Sequence, residues 1–461
     1  MRVVVTNKTI IIEEATSTLK AQLNTLLSYR DKSKQYQLRK LSRRPFMRTT
    51  PYYKKLQEEA GGTLLEHLPN ETISFSSSFY HIIEPLGYDI NDQRHATGSS
   101  IALPWKNKPF DLRDYQEEAV SMMENRWRGL INFATGLGKT LVAVHAIKRI
   151  KRKALIVVPS DQIAQQFYSD LKKAFGDHRV GMYGGGKKKI KDITVGIAAS
   201  VHKHVDEFKD KGLGLICFDE VHHIAASTFY SIATALADTG KIFGLTATDY
   251  RSDGKDVMIT AGCGPTICRR DVVWGAKNGW LAQPYFLIRE VPTTGNDYRD
   301  DKLNNYREHV LNNPVMKKQI EDDVRKFMAA GRAILCLVDQ VAHGQELSDN
   351  LGVPFATGED SESSQYVKDF NAGKINCLIA TEGKLGEGSD LQRVNVLVLT
   401  NFAASKGLVL QCVGRGLRIY EGKDHCMILD YIPMGSKMLH RHAMQRIEFY
   451  REITDKVKII S

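Results

Sequence analysis

Long hydrophobic runs are missing from this chain. No stretch of its 461 residues approaches the ~20 consecutive apolar residues that a membrane-spanning helix requires, so no membrane partner is expected. The start, "MRVVVTNKTIIIEEATS", is apolar only briefly. Glu13 and Glu14 close it, and no small-residue cleavage site follows. That pattern argues against a secretory signal and for a cytoplasmic protein. Cysteine is sparse as well: seven residues, scattered, with the closest pair (Cys263 and Cys268) lacking zinc-finger spacing. A disulfide framework is thereby excluded, and the thiols read as small core residues. Acidic residues are outnumbered, 53 against 64 bases, for a formal net charge of +11. Such a balance suits a polyanionic partner, although it also fits a merely soluble basic protein.

The acid deficit is concentrated. From Arg30 to Lys55 the chain carries Arg30, Lys32, Lys34, Arg39, Lys40, Arg43, Arg44, Arg48, Lys54 and Lys55 against one acid, Asp31. Tyr36, Phe46, Tyr52 and Tyr53 are interleaved with them. Cations meet phosphates and rings stack on bases, so Arg39, Lys40, Arg43 and Arg44 are candidate nucleic-acid contacts. A solvated helix and loop is the bland alternative. Upstream, "RVVVTNKTIII" predicts a strand pair around Asn7 and Lys8, and Leu19, Leu23, Leu26 and Leu27 have helical spacing. "INDQRHATGSS" (Ile90 to Ser100) is a polar boundary candidate.

From Trp105 onward, short β-branched runs alternate with helical segments: "GLINFAT", "KALIVVP", "ITVGIAA", "LGLICFDE", "KIFGLTAT". The alternation restarts after about residue 330 with "AILCLVD", "INCLIAT", "VNVLVLT" and "HCMILDYI". Near-continuous apolar strands joined by crossover helices predict parallel sheets covered on both faces. Residues 291 to 330 read as polar and mostly helical. The expected class is α/β: two tandem parallel-sheet domains behind a small α+β N-terminal domain. Boundaries are placed at 1–103, 104–288 and 289–461.

"ATGLGKT" (Ala134 to Thr140) lies between an apolar strand and a helix, the context a phosphate-binding loop requires. Gly136 and Gly138 let backbone N–H groups close on phosphate, beside Thr135, at a positive helix end. Lys139 would reach terminal phosphates, and Thr140 would offer a hydroxyl to Mg²⁺. Just upstream, "DLRDYQ" places Arg113 and Gln116 where an amide could read an adenine edge. "CFDEVHH" (Cys217 to His223) admits two readings. A zinc site would want two His on one helix face or a Cys/His framework, and adjacent His222 and His223 are poor partners for one metal. An apolar strand ending in Asp219 and Glu220 suits the other reading. Asp219 would then hold Mg²⁺ and Glu220 would polarise water.

The ordered set of motifs resembles the superfamily 2 helicases of the DExH type. "DEVH" (Asp219 to His222) and "ATGLGKT" are similar to their second and first motifs. "GLTATDYRSDG" resembles the third, with Asp249 where a proline is usual. "VPSDQIAQQF", "LIATEGKLGEGSDL" and "QCVGRGLR" resemble motifs Ia, V and VI. The resemblance covers about residues 105 to 432 and implies two RecA-like motor domains using ATP and Mg²⁺. It implies arginine fingers at Arg415 and Arg418 with Gln411, nucleotide contacts at Gly388 and Asp390, and coupling by His222 toward motif VI. It implies backbone contacts to nucleic acid at Ser160, Gln165, Ser200 and Thr381. "GGGKKKIK" (Gly184 to Lys191) reads more readily as a solvated hairpin than as a DNA grip. "MLHRHAMQRIEFYREITDKVKI" is read as a tail helix with a basic face of Arg441, Arg446 and Arg451.

The compact layout is similar to phage recombination helicases of the UvsW type, cousins of RecG-type branch-migration motors. This implies a monomer acting on duplex or branched DNA, including R-loops with an RNA–DNA hybrid, in a bacterial host cytoplasm if phage-encoded. The alternatives are an RNA-directed DExH protein, a duplex translocase within a larger machine, and an ATPase clamp that does not unwind. No nuclease motif is evident, which argues against a complete restriction enzyme.

Overall fold

A computed structural model describes residues 1–42, 45–222, 226–247, 254–299, 301–358, 362–381, 391, 393–400, 402, 406–420 and 422–461. The side chains of Pro45, Ala226, Lys406, Gly407, Leu408 and Gln411 lie outside that description. The chain divides into two compact units. The first is Met1–Phe133 with Gly138–Arg269, and the second is Ala134–Leu137 with Arg270–Ser461.

The first unit carries the predicted N-terminal strand pair. Arg2–Val5 and Thr9–Glu13 run antiparallel, with Val5 opposite Ile10 and Arg2 opposite Glu13. Alternation decides their faces: Val3, Val5, Ile10 and Ile12 are buried. The following helix, Ser17–Leu26, is N-capped by Thr16 and buries Leu19 and Leu23. Leu27 completes that face, whereas Leu26 is 55% exposed, one position off the stripe. Five strands form this sheet, with Asp89–Asp92 parallel to Arg2–Val5 at one edge.

The polar stretch Ile90–Ser100 is tied down. It begins in that edge strand. Then the His95 N–H donates to Asn7 Oδ1 at 3.0 Å, and the Thr97 hydroxyl donates to the Leu213 carbonyl at 2.9 Å. The accessory sheet is joined to the larger sheet by a buried arginine. Arg128 donates to the carbonyls of Asn7 (2.5 Å), Ala237 (3.0 Å) and Gly262 (3.1 Å). Among the described residues three backbone acceptors satisfy it and no carboxylate pairs with it, and burial lowers its pKa to about 10. It remains charged at neutral pH.

The large sheet of the first unit has eight strands. At its centre lie Ile193–Ile197, Lys153–Val158, Leu213–Phe218, Lys241–Thr246 and Arg128–Phe133, in that order and parallel. Each is nearly all apolar because helices cover both faces. The strands that precede Ala134, Ala247 and Asp219 are therefore neighbours, and their carboxyl ends open on one side.

The second unit has a seven-stranded sheet, ordered Phe355–Ala356, Cys377–Thr381, Ile334–Val338, Val396–Leu399, His425–Pro433, Gln283–Val291, Val457–Ile460. Its pairings are parallel. The expected α/β class, with two parallel sheets and a small α+β region, is what the chain adopts. The stretch 291–330 supplies helices Lys302–Tyr306 and Pro314–Ala329, the latter N-capped by Asn313.

The tail helix, Lys437–Ile453, corrects one expectation. Arg446 does not belong to a basic face; it is 1% exposed and bonded to Asp430 at 2.7 and 2.9 Å. A five-residue spacing turns about 140° around a helix, so Arg441, Arg446 and Arg451 cannot share one face. Beyond the helix, Val457–Ile460 is a strand of the second sheet. Among the described residues, no helix is long and apolar enough to cross a membrane.

Candidate active site

The strand Arg128–Phe133 ends where the glycines begin. Gly136 and Gly138 have φ of +91° and +81°, values that L side chains rarely adopt. Gly138 is also the N-cap of the helix Lys139–Ile150. A Cβ on Gly138 would lie 2.4 Å from the Gln116 amide nitrogen, so glycine is required by space as well as by conformation. Gln116 is 3% exposed and accepts from the Arg113 N–H at 3.0 Å, which closes the first turn of the helix Asp114–Asn125. Gln116 is thus brought against the phosphate-loop candidate, with Arg113 beside it at the helix start.

Lys139 is the focus of this end of the sheet. Its ammonium lies 3.1 Å from Glu220 Oε1 and donates to the Phe133 carbonyl at 3.3 Å. Its side chain is 9% exposed and that of Glu220 is 19% exposed, so the pair stays in reach of solvent. Glu220 stands in the left-handed region at φ +44°. For a non-glycine residue that conformation costs on the order of 1 kcal/mol or more, and such strain collects where geometry matters. Here it turns the chain at the end of the strand Leu213–Phe218 and sends the carboxylate toward Lys139. Asp219, beside it, is buried, and its N–H donates to the Val157 carbonyl at 2.8 Å. Thr140 follows Lys139 and is half-buried.

The His222 ring Nδ1 meets the Thr246 hydroxyl at 2.6 Å and lies 3.6 Å from Glu220 Oε2. Thr246 was not among the candidates. The signal for it was already present, since it sits in the stretch read as the third motif. Cys217 is buried in the strand, and burial pushes its thiol far up. That removes it as a ready thiolate ligand. No cluster of three or more metal-ligating side chains occurs among the described residues. His223, residues 248–253, Gly388 and Asp390 lie outside the described residues, as do Arg43 and Arg44.

In the second unit, Arg415 is in the last turn of the helix Lys406–Gly416, and Arg418 follows it. Gln411 is on the same helix. The Lys423 ammonium donates to the Gly416 and Arg418 carbonyls at 2.5 and 2.9 Å, which anchors the helix end that carries both arginines. Burial lowers the Arg418 guanidinium below its ordinary value. Thr381 ends the strand Cys377–Thr381 of that unit.

Ser160 and Ser200 follow adjacent strands, because Ile197 pairs with Val158. Ser160 caps the helix Asp161–Phe175 by accepting from the Ile163 N–H at 3.5 Å, so its hydroxyl already has a local structural task. Gln165 is exposed on that helix. Arg39 and Lys40 are exposed on the helix Lys32–Ser42, which buries no residue.

Comparison with known proteins agrees with this geometry. The family model described as "Type III restriction enzyme, res subunit" matches residues 109–251. The chain is 29% identical over 346 residues to the Rad25 DNA 3'-5' helicase of Halobacterium salinarum, covering 72% of this chain and 56% of that protein. It is 26% identical over 372 residues to helicase D10 of Escherichia phage T5, covering 79% of each. A solved HsdR-subunit fragment of a type I restriction enzyme from Vibrio vulnificus YJ016 aligns with a TM-score of 0.56. That alignment has 22% identity and covers 76% of this chain and 68% of that one, a likeness of fold. The chain spans about half the length of the first Rad25-type relatives it matches. These likenesses run to superfamily 2 helicases of the type III restriction and Rad25 kind.

Proposed function

We propose that this chain is an ATP-driven DNA helicase or translocase that remodels duplex and branched DNA. The observation that carries the reading is Lys139, held between Glu220 and the Phe133 carbonyl where the glycine loop meets its helix. The cradle fits a nucleoside triphosphate: two positive-φ glycines, a lysine at a helix N-terminus and a buried glutamine against the loop. When bound, ATP with Mg²⁺ supplies the phosphoanhydride whose hydrolysis drives the cycle. Arg113 and Gln116 recognise the base, while Thr135, Gly136, Gly138 and Lys139 bind phosphate oxygens. Thr140 and Asp219 would hold the metal ion. Glu220 orients water and accepts its proton, at a carboxylate that Lys139 and His222 hold in place. His222 links that carboxylate to Thr246, and so to the segment after the strand Lys241–Thr246.

On the second unit, Arg415 and Arg418, with Gln411, are assigned the stabilisation of charge on the transferring phosphoryl group. Gly388 and Asp390 are assigned to contact with the nucleotide. Ser160, Gln165, Ser200, Thr381, Arg39, Lys40, Arg43 and Arg44 are assigned to DNA, mostly to its backbone. Functional regions at 1–103, 104–288 and 289–461 remain part of this reading. The names of the Rad25-type relatives support DNA as the track.

A second reading is a duplex translocase working inside a larger machine, and the match to a restriction subunit favours it. ATPase rates with single-stranded DNA, duplex, fork, four-way junction and RNA decide. The remodelling reading expects the junction or fork to stimulate most, with strand displacement or junction migration. Equal stimulation by junction and plain duplex, with no displacement, would favour the translocase. Best stimulation by RNA would overturn both.

A further inference from the structure

The stretch "GGGKKKIK" reads from sequence more readily as a solvated hairpin than as a DNA grip. Tertiary structure gives it a specific address. Val180–Gly184 and Lys187–Lys188 pair antiparallel at the outer edge of the large sheet, with Tyr183 opposite Lys188 and Gly184 opposite Lys187. Between them Gly184, Gly185 and Gly186 all have positive φ. The turn is wedged as well as bent. A Cβ on Gly184 would lie 2.8 Å from the Ile197 side chain, and one on Gly185 would lie 2.6 Å from Asp161 Oδ1. Asp161 is the residue after Ser160, and Ile197 is the last residue of the strand that leads to Ser200. The hairpin is therefore clasped against the two helix starts that hold Ser160, Gln165 and Ser200.

The fold does not neutralise the lysines at this address, although Lys187 donates to Met182 Sδ at 3.9 Å and Lys188 lies 6.0 Å from the Tyr183 ring centre. Lys187, Lys188 and Lys189 are exposed, and among the described residues none of the three forms an ion pair. Their neighbour Lys191 differs: it donates to the Asp177 carbonyl at 2.6 Å and serves the local structure. Lys187 and Lys172 both approach the Tyr168 ring, at 5.6 and 5.1 Å from its centre, but Lys172 is paired with Asp177 at 2.9 Å, so the open charge lies on the hairpin. Charge at a sheet edge also guards against strand pairing with other chains. That task needs charge, but it does not need a three-glycine turn seated on Asp161 and Ile197.

We propose that Lys187, Lys188 and Lys189 form a sequence-independent grip on the phosphate backbone of duplex DNA, beside Ser160, Gln165 and Ser200. This rests on the DNA reading above. The lysines act as point charges, so the contact carries no base code and suits a motor that moves over any sequence.

The test is duplex binding across a salt series for the wild-type protein and for the triple variant Lys187→Gln, Lys188→Gln, Lys189→Gln. The expected result is an affinity loss of about tenfold or more at 0.1 M salt, with the slope of log K against log salt smaller by about 2–3. Nucleotide hydrolysis without DNA stays at the wild-type rate. The matching triple Lys→Arg variant keeps affinity and slope, which separates charge from a damaged edge. Wild-type-like affinity and slope in the glutamine variant would overturn the grip alone. Absence of wild-type duplex binding would overturn both the grip and the DNA reading.

Discussion

The two units each bury an ion pair, and the pairs differ in kind. In the first, Lys139 meets Glu220 with side chains 9% and 19% exposed. In the second, Arg446 meets Asp430 at 1% and 2% exposure. The second pair is closed. Asp430 receives two guanidinium bonds and the Tyr450 hydroxyl at 2.8 Å, and Arg446 reaches the Tyr431 carbonyl at 3.3 Å. The first lies at the open end of a sheet beside a strained backbone, where Lys139 also donates to the Phe133 carbonyl and Glu220 also faces His222. A sealed pair has no other partner to take, so it serves the fold. A pair left at the solvent edge can exchange its partner for a ligand phosphate, which is the role proposed above for Lys139.

The largest test breaks the open pair. Lys139→Ala should lower ATP hydrolysis by ~10³-fold, because a positioned cation at the phosphates is lost. Thermal unfolding should move by less than about 1 kcal/mol, since Glu220 keeps access to water. Turnover near the wild-type rate would remove Lys139 from the site. Breaking the sealed pair inverts the pattern. Arg446→Met leaves Asp430 buried and charged, and urea unfolding should show a loss of about 3–5 kcal/mol. Combining it with Asp430→Leu should recover much of that loss, because two apolar groups leave no orphan charge. If the single and double variants were equally unstable, packing rather than charge would be the cause.

Arg128 sharpens the contrast, being a buried cation satisfied by carbonyls alone. Arg128→Met should cost about 2–3 kcal/mol by orphaning the Asn7, Ala237 and Gly262 carbonyls. Limited proteolysis should then cut faster between residues 93 and 100, where the accessory sheet is tied to the large one. An unchanged digestion pattern would show that the other ties suffice.

The smallest effect is in pH. His343 in the second unit is buried against the Tyr306 hydroxyl at 2.9 Å, and burial lowers its pKa to about 4. An unfolded histidine titrates near ~6.5, so below that pH the unfolded chain binds a proton that the folded chain refuses. Stability present above pH ~6.5 is lost as pH falls toward 4, by on the order of 2 kcal/mol. Melting of wild type and His343→Gln between these pH values should show a flatter dependence for the variant. Parallel curves would rule out His343 as the source.

Much of this was legible in the sequence because local rules carried it. Short, β-branched apolar runs such as "KALIVV" favour doubly covered strands, and "GLGKT" after a strand needs no tertiary knowledge to be read as a phosphate cradle. Legibility failed where one side chain's surroundings come from distant segments. Arg446 looked like surface charge because its partner lies on another element, at Asp430. Arg128 gave no signal at all, since its acceptors are main-chain carbonyls contributed by residues 7, 237 and 262.

The sequence by itself determined the class of fold and named the candidate residues at the strand ends, since periodicity and motif spacing are properties of neighbours along the chain. Tertiary structure alone decided which charges are open and which are sealed. It set Glu220 on Lys139, turned His222 to Thr246, buried Arg446, and seated the turn at Gly184 and Gly185 against Ile197 and Asp161. The physical reason is that exposure and electrostatic partnership depend on distance in space, which only strand order and register fix.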